Sequence, residues 1–144
     1  MSDNTLIHRE AFWLMCGEKI GNGIARTVYE SRLLPGFVIK VEEDSRSFQN
    51  VLEWETWQRV RGTKHEKWFA PCESISAAGT VLVMRKTELA RASEYPEKMP
   101  VFLTDFKRKN YGMYDGRLVC HDYGLTLLVE HGMTSRLRKA NWWD

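Results

Sequence analysis

Apolar residues in the first third of the chain fall in short runs separated by turns that contain glycine or proline. Residues 17–29 place Gly21 and Gly23 between two apolar stretches, which predicts two strands joined by a glycine-rich turn. Residues 37–41 are rich in β-branched side chains and follow the turn signal of residues 34–36. The pattern therefore predicts an antiparallel meander. Several apolar residues lie between residues 5 and 16. They fit either a short helix or a leading strand, and the sequence does not distinguish the two.

The spacing changes between residues 45 and 61, where apolar residues recur every three or four positions and Gly62 supplies a stop. This period indicates one amphipathic helix. Residues 72–84 then predict a β-hairpin with a glycine turn. Residues 85–100 are polar and predict a linker with room for one helical turn, and residues 113–120 predict a tight turn between two short strands. No repeat or low-complexity linker divides the sequence, so we expect a single domain, residues 1–144.

Composition narrows the class of protein. With 43% hydrophobic and 28% charged residues, the chain is expected to be globular and soluble. A formal charge of +2 makes nucleic-acid binding an unlikely function, and no run approaches the roughly 18 apolar residues of a membrane span. The N-terminus lacks the regions of a signal peptide, and the three cysteines form no C-x-x-C pair. We therefore expect free thiols and a cytoplasmic protein without membrane contact.

Three oxygen-bearing side chains are the candidates for chemistry. Asp105 is followed five residues later by Asn110, and Asp122 begins an Asp-Tyr-Gly sequence after a predicted strand. This set can supply one base and two ligands for a metal ion, because hard cations such as Mg²⁺ prefer oxygen ligands. Asp and Asn also cap turns often, so a purely structural role for Asp105 and Asn110 remains open at this point.

The order of these features resembles that of a protein kinase, much shortened, and is similar to small kinase-like proteins of phage or prophage type. The resemblance covers about residues 15–125. It implies an α+β, protein-kinase-like fold: an antiparallel N-lobe sheet with one main helix, plus a truncated C-lobe. Residues 1–86 would form the N-lobe-like part, and residues 87–144 the reduced C-lobe. The cofactors implied are ATP and Mg²⁺.

The resemblance implies a nucleotide-binding set in the first part of the chain. Residues 20–28 resemble the glycine-rich loop G-x-G-x-x-G-x-V, with Arg26 in place of the third glycine. Residues 38–40 resemble V-A-I-K, so that Lys40 would contact the α- and β-phosphates. Glu53 is the preferred carboxylate partner of Lys40 because it lies beside the apolar helix face, and Glu55 is the alternative. The full nucleotide-binding set is Ile20, Gly21, Gly23, Val28, Lys40, Glu53 and Met84.

The same resemblance assigns catalytic roles further along the chain. Residues 105–110 resemble the catalytic loop D-x-K-x-x-N, and residues 122–124 resemble D-F-G. Asp105 would orient or deprotonate the acceptor hydroxyl, and Lys107 would contact the γ-phosphate. Asn110 and Asp122 would bind Mg²⁺. Ordinary alternatives exist for these residues: Lys40 as a solvated strand lysine, the glycines as a hairpin bend, and His121 as a structural or solvent-facing residue.

The sequence departs from the kinase pattern in three places. Leu103 and Thr104 replace the His and Arg of H-R-D, only 20 residues separate Met84 from Asp105, and only 20 follow Gly124. We therefore expect the long C-lobe helix to be missing or reduced, with no conventional groove for a protein substrate.

Two functions follow as expectations. The first is an ATP- and Mg²⁺-dependent phosphotransferase whose acceptor is unknown. The alternative is a kinase-like (pseudokinase) binding protein that docks onto a protein partner and inhibits or regulates it. The missing substrate groove and the basic and aromatic tail together motivate this alternative, although such a tail more often packs on its own domain. Its residues are Arg136, Arg138, Lys139, Trp142 and Trp143.

Overall fold

A computed structural model describes residues 3–23, 25–43 and 47–144, with side chains from Arg9 onward. The chain forms two compact units. The first comprises Met1–Asn50 and Cys72–Lys86, and the second comprises Val51–Pro71 and Thr87–Asp144. Residues 51–71, which the resemblance assigned to the N-lobe-like part, group with the second unit.

The first unit is built around a five-stranded antiparallel sheet with strand order β1-β2-β3-β5-β4. The predicted meander is confirmed, because β1, β2 and β3 pair in sequence order. The predicted hairpin of β4 and β5 is also confirmed, and its turn contains Gly79 at a φ of +76°. The strands are β1 (Cys16–Asn22), β2 (Arg26–Ser31), β3 (Phe37–Glu42), β4 (Cys72–Ile75) and β5 (Val81–Arg85).

One face of this sheet forms the apolar core of the first unit. Cys16, Ile39 and Val83 are buried there, with Tyr29 packed against them. Helix α1 (Asp3–Met15) precedes β1, and its Phe12 ring meets Tyr29 edge to face at 5.2 Å. The sequence left open whether residues 5–16 form a helix or a strand. In the structure, all of them but the last belong to a helix that ends where β1 begins.

Helix α2 (Gln49–Val60) carries the predicted helical period. It begins later than residue 45 because the buried carboxylate of Glu42 accepts its first amide protons, from Gln49 N at 3.1 Å and Asn50 N at 2.8 Å. The predicted start at residue 45 lies outside the described residues. Gly62, with a φ of +76°, follows the end of the helix as expected.

The second unit contains most of α2, helix α3 (Leu128–His131) and two small antiparallel sheets. β7 (Tyr111–Tyr114) and β8 (Arg117–Cys120) form the predicted hairpin, whose turn residues Asp115 and Gly116 have φ values of +51° and +78°. Positive φ at both turn positions matches the twist of the strands that it joins. β6 (Lys98–Pro100) pairs with β9 (Leu137–Lys139).

Residues 85–104, all of them described, contain no α-helix, so the absence of a long helix here is as predicted. The fold class is confirmed at the coarser level: the described residues form a mixed α+β structure with three α-helices and a five-stranded antiparallel sheet. Within this described part, no helix has the length and apolar character needed to cross a membrane.

Candidate functional site

In the first unit, three residues predicted to bind nucleotide lie in one row across the sheet. Gly21 is opposite Val28 on the next strand, Val28 is opposite Lys40, and Lys40 is opposite Leu82. Side chains directly opposite each other in an antiparallel pair point to the same face. Val28 and Lys40 therefore share the sheet face opposite the apolar core. Met84 lies opposite Val38, two residues before Lys40 on β3, and belongs to the same face.

Lys40 is only 3% exposed, and Met84 is fully buried. The alternative of Lys40 as a solvated strand lysine is therefore wrong. A buried ammonium group is costly unless it is paired, which is why lysine is seldom found in such positions without a specific role.

Gly21 and Gly23 are not required by the local backbone. Neither has a positive φ, and a Cβ atom would lie no closer than 3.6 Å to any neighbour at Gly21 or 3.7 Å at Gly23. The turn is closed by a bond from the Gly23 N–H to the Arg26 carbonyl, at 2.8 Å. A hairpin bend alone does not explain these glycines. Ile20 is exposed, and Ile24 lies outside the described residues.

Asn50 is a residue that the sequence analysis missed. Its fully buried side chain accepts a hydrogen bond from Arg26 Nη1 at 3.0 Å and donates one from Nδ2 to the Lys40 carbonyl at 3.0 Å. Asn50 thus links the end of the glycine-rich turn to the strand that carries Lys40. Arg26, which replaces the third glycine of the resemblance, anchors the turn through this contact.

In the second unit, Asp105 and Asn110 contact each other. Nδ2 of Asn110 donates to Oδ2 of Asp105 at 3.1 Å. Because a carboxylate can only accept, this bond fixes the orientation of the Asn110 amide and identifies Oδ1 as its acceptor end. Asp105 has a φ of +49°, an uncommon backbone state for a non-glycine residue. Such outliers cluster at functional sites, since their cost of about 1–3 kcal/mol must be offset by surrounding contacts.

The β7–β8 hairpin brings Asn110 and Asp122 to the same end. Asn110 immediately precedes β7, and its carbonyl accepts a hydrogen bond from the N–H of His121 at 2.9 Å. Asp122 is the next residue, so the two proposed metal ligands flank the open end of one hairpin. A pocket of about 600 Å³ lies at the opposite, turn end, where Gly116 and Arg117 line it.

Tyr123 fixes the position of Asp122. Its N–H donates to Glu53 Oε2 at 2.9 Å, and its hydroxyl donates to the Ala70 carbonyl at 2.7 Å. Tyr123 is 1% exposed, whereas the Asp122 side chain is exposed. Glu53 is fully buried and Glu55 is exposed, which favours Glu53 as the helix carboxylate of the site. The pairing of Glu53 with Lys40 stays a prediction.

His121 is structural, as one of the sequence alternatives had it. Its Nε2–H donates to the Lys109 carbonyl at 2.6 Å, and its Nδ1 lies 2.7 Å from the Thr87 hydroxyl. The Tyr111 hydroxyl supports the other end of the same loop by donating to the Thr104 carbonyl at 3.1 Å. Burial, with smaller contributions from Cys120 and Asp105, raises the pKa of Tyr111 well above its usual range, so the phenol stays protonated and remains a donor.

Lys107 lies close to three side chains of its own unit, those of Trp143, Lys109 and Asp105. Its ammonium is 4.7 Å from the centre of the Trp143 ring. The neighbouring Lys109 side chain and partial burial lower the pKa of Lys107, whereas the Asp105 carboxylate acts in the opposite direction. The lowering effects are larger than that of Asp105, so Lys107 loses its proton at a lower pH than an isolated surface lysine.

The described residues contain no group of three His, Cys, Asp or Glu side chains that could hold a metal ion by themselves. This does not conflict with the donor set predicted for Mg²⁺, which is one amide oxygen and one carboxylate. Mg²⁺ is usually bound by one or two protein oxygens together with substrate phosphates and water. No protein-family profile matches the chain, and no curated protein is significantly similar to it in sequence.

Proposed function

We propose that this protein is an ATP- and Mg²⁺-dependent phosphotransferase of the protein-kinase-like type, acting on an acceptor hydroxyl. The observation that carries the proposal is the contact between Asp105 and Asn110 at the end of the hairpin that also positions Asp122. A base and two metal-ligand oxygens in one short segment suit phosphoryl transfer, which depends on positioning and charge neutralisation more than on covalent chemistry.

The first unit supplies the nucleotide contacts in this proposal. Lys40 pairs with the α- and β-phosphates, and Val28 and Met84, on the same sheet face, contact the adenine. The Gly21 and Gly23 backbone amides approach the phosphates. A Cβ atom would have room at both glycine positions, so the fold itself gives no other reason for glycine there. This supports the proposed role of their amides.

The second unit supplies the transfer chemistry. The acceptor hydroxyl forms a new O–P bond to the γ-phosphorus, while the bond from that phosphorus to the bridging oxygen breaks and its electron pair remains on ADP. The hydroxyl proton passes to the carboxylate of Asp105. Lys107 balances negative charge on the transferred group, and the hydrogen bond from Asn110 keeps the Asp105 carboxylate oriented.

The residues present fit a magnesium ion, because Oδ1 of Asn110 and the carboxylate of Asp122 are hard oxygen donors at one end of the hairpin. A magnesium ion held by these two residues would neutralise charge on the nucleotide phosphates. The buried contacts of Tyr123 to Glu53 and Ala70 keep the Asp122 backbone in place without any ligand.

The alternative, a kinase-like protein that only binds a partner, was motivated by the missing substrate groove together with the basic and aromatic tail. The second of these motives is weakened, because Trp142 donates to the Pro96 carbonyl at 2.7 Å and packs on Phe106 and Tyr111. Arg138 also contacts its own unit, through the Leu103 carbonyl at 2.7 Å. The prediction that such a tail packs on its own domain is confirmed for these two residues.

The test is a calorimetric titration of ATP into the purified protein with and without Mg²⁺, followed by an assay for transfer of the labelled γ-phosphate. Asp122→Asn is the test variant, and Asp115→Asn is its matched control. Both changes remove one carboxylate charge from the same hairpin, but Asp115 lies in the turn at the far end.

We expect Mg²⁺-dependent ATP binding in the wild type and in Asp115→Asn, with loss of this dependence in Asp122→Asn. If Asp122→Asn binds and transfers as well as the wild type, the proposed role of Asp122 is wrong. If the wild type binds no ATP with or without Mg²⁺, the enzymatic proposal fails and the binding-protein alternative takes its place.

A further inference from the structure

The last five residues of the chain, the C-terminal strap (residues 140–144), run beside the Asp105–Asn110 loop. The Trp143 N–H donates to the Phe106 carbonyl at 3.0 Å, and the Arg108 N–H donates to the Trp143 carbonyl at 2.8 Å. These two bonds flank Lys107 and form a parallel β-bridge between Lys107 and Trp143. The residues before and after Lys107 are therefore both hydrogen-bonded to a segment more than 30 residues away in sequence.

Side chains of the strap hold the same loop. Trp142 packs edge to face on Tyr111 with ring centres 4.8 Å apart, which anchors the strap at the base of the loop. Asp144 Oδ1 accepts a hydrogen bond from Arg108 Nη1 at 2.8 Å. The Trp143 ring lies 4.7 Å from the Lys107 ammonium, within the range of a cation–π interaction.

The charge pattern of the loop explains why these contacts matter. Residues 107–109 are Lys-Arg-Lys, so three adjacent cations repel one another. The strap offers a separate partner to two of them: the π-face of Trp143 to Lys107 and the carboxylate of Asp144 to Arg108. Lys107 and Arg108 thereby each have a partner in the strap before any ligand arrives.

We propose that Trp143 is a positioning residue for phosphoryl transfer, which restricts the Lys107 ammonium to the orientation in which it meets the γ-phosphate. This inference rests on the proposed function. A lysine side chain loses several rotatable bonds of freedom when it is fixed on a ligand. With Trp143 in place, part of that ordering is already present in the ligand-free protein, so γ-phosphate binding is favoured.

The test compares Trp143→Ala, Trp143→Phe and the wild type by calorimetry with a non-hydrolysable ATP analogue and with ADP, both with Mg²⁺. ADP lacks the γ-phosphate and serves as the internal reference. A cation–π contact at an exposed site corresponds to about a two- to fivefold change in affinity. We expect Trp143→Ala to lose about this factor for the ATP analogue but not for ADP, and Trp143→Phe to recover most of it because a ring remains.

A second readout does not depend on nucleotide. When the lysines carry ¹³C-labelled methyl groups, the NMR chemical shifts of these groups report the ring current of a nearby aromatic side chain. The signal of Lys107 is the one that disappears in Lys107→Arg. That signal should be shifted in the wild type and should return to the position of an ordinary lysine in Trp143→Ala. Trp13→Ala is the control for loss of a tryptophan, because Trp13 is 60% exposed and lies on α1 of the first unit.

The outcomes separate the two proposals. If the wild type binds neither nucleotide, the proposed function fails and this inference fails with it, even when the ring-current shift is present. If the wild type binds the analogue and Trp143→Ala keeps the same preference for the analogue over ADP, the positioning role alone is overturned. A tighter analogue complex in Trp143→Ala would also overturn it, since the strap would then hold Lys107 away from the phosphate.

Discussion

Gly112 is the glycine whose replacement has the most direct structural consequence. It is buried in β7, where residues 87 and 88 cross closely over the strand. A Cβ atom at Gly112 would lie 2.7 Å from Thr87 Cβ and 2.9 Å from the Glu88 carbonyl oxygen, and closer still to the Thr87 hydroxyl. Real Cβ atoms essentially never approach a neighbour this closely, so Gly112→Ala must displace the crossing segment.

The size of the effect follows from what the crossing segment contributes. Glu88 and Met113 exchange two backbone hydrogen bonds, of 2.9 and 2.7 Å, which the displacement would strain or break. Overpacking typically costs about 1–3 kcal/mol, and each lost hydrogen bond costs about 0.5–1.5 kcal/mol. We therefore expect Gly112→Ala to lower the free energy of unfolding by about 2–6 kcal/mol, a large share of the roughly 5–15 kcal/mol of a natural domain.

Urea denaturation followed by circular dichroism measures this change. Gly23→Ala is the matched control, because the nearest atom to its added methyl group would be the Arg26 carbonyl oxygen at 3.7 Å. The control should stay within about 0.5 kcal/mol of the wild type or gain slightly in stability. An unfolding midpoint for Gly112→Ala equal to that of the control would refute the close approach of Thr87 and Glu88.

Two further predictions concern the proposed site. Gly21→Ala should leave the free energy of unfolding within about 0.5 kcal/mol of the wild type, because the added methyl group has room in the fold. It should weaken ATP binding, because the methyl group has no room beside a phosphate. Equal ATP affinity by calorimetry would assign Gly21 to the hairpin bend. The pKa of Lys107 is lowered, so its positive charge is lost at a lower pH than that of an ordinary lysine. The rate should therefore decline with a midpoint below pH 10.4, roughly the ordinary pKa of lysine. Lys109→Met should move this midpoint to higher pH. An unchanged midpoint would show that Lys107 is not the titrating group.

The strands and turns of the fold could be predicted from sequence because their signals are local. The glycines at 36, 79 and 116 all have positive φ, and each lies in a turn between two paired strands. The start of α2 could not be predicted in the same way. It depends on the carboxylate of Glu42, which reaches forward from β3 to amide groups seven and eight residues later. The apolar period indicates which residues face the core, but it does not indicate which side chain satisfies the first amides of the helix.

The candidate site shows the same difference between residues with a local sequence signal and residues that act across a long separation in sequence. Asp105, Asn110 and Asp122 could be proposed from their spacing because one short hairpin lies between them. The residues that hold them could not, since each acts across a long gap in sequence. Tyr123 meets Glu53 across 70 residues, and Thr87 meets His121 across 34. Nothing in a single sequence marks a tyrosine N–H as the partner of a distant glutamate.

The backbone state of Asp105 shows what these distant contacts accomplish. A φ of +49° costs an aspartate about 1–3 kcal/mol, and no regular helix or sheet passes through residues 103–107 to impose it. Side chains impose it instead. Arg138, Tyr111 and His121 donate to three carbonyls of residues 103–109, and Trp143 adds its two backbone bonds. At about 1 kcal/mol each, these bonds suffice to offset the strain. Because so little regular structure surrounds this loop, contacts from residues as distant as 138–144 hold the Asp105 carboxylate in a fixed direction. Changes in the strap should therefore affect the loop before they affect the rest of the fold.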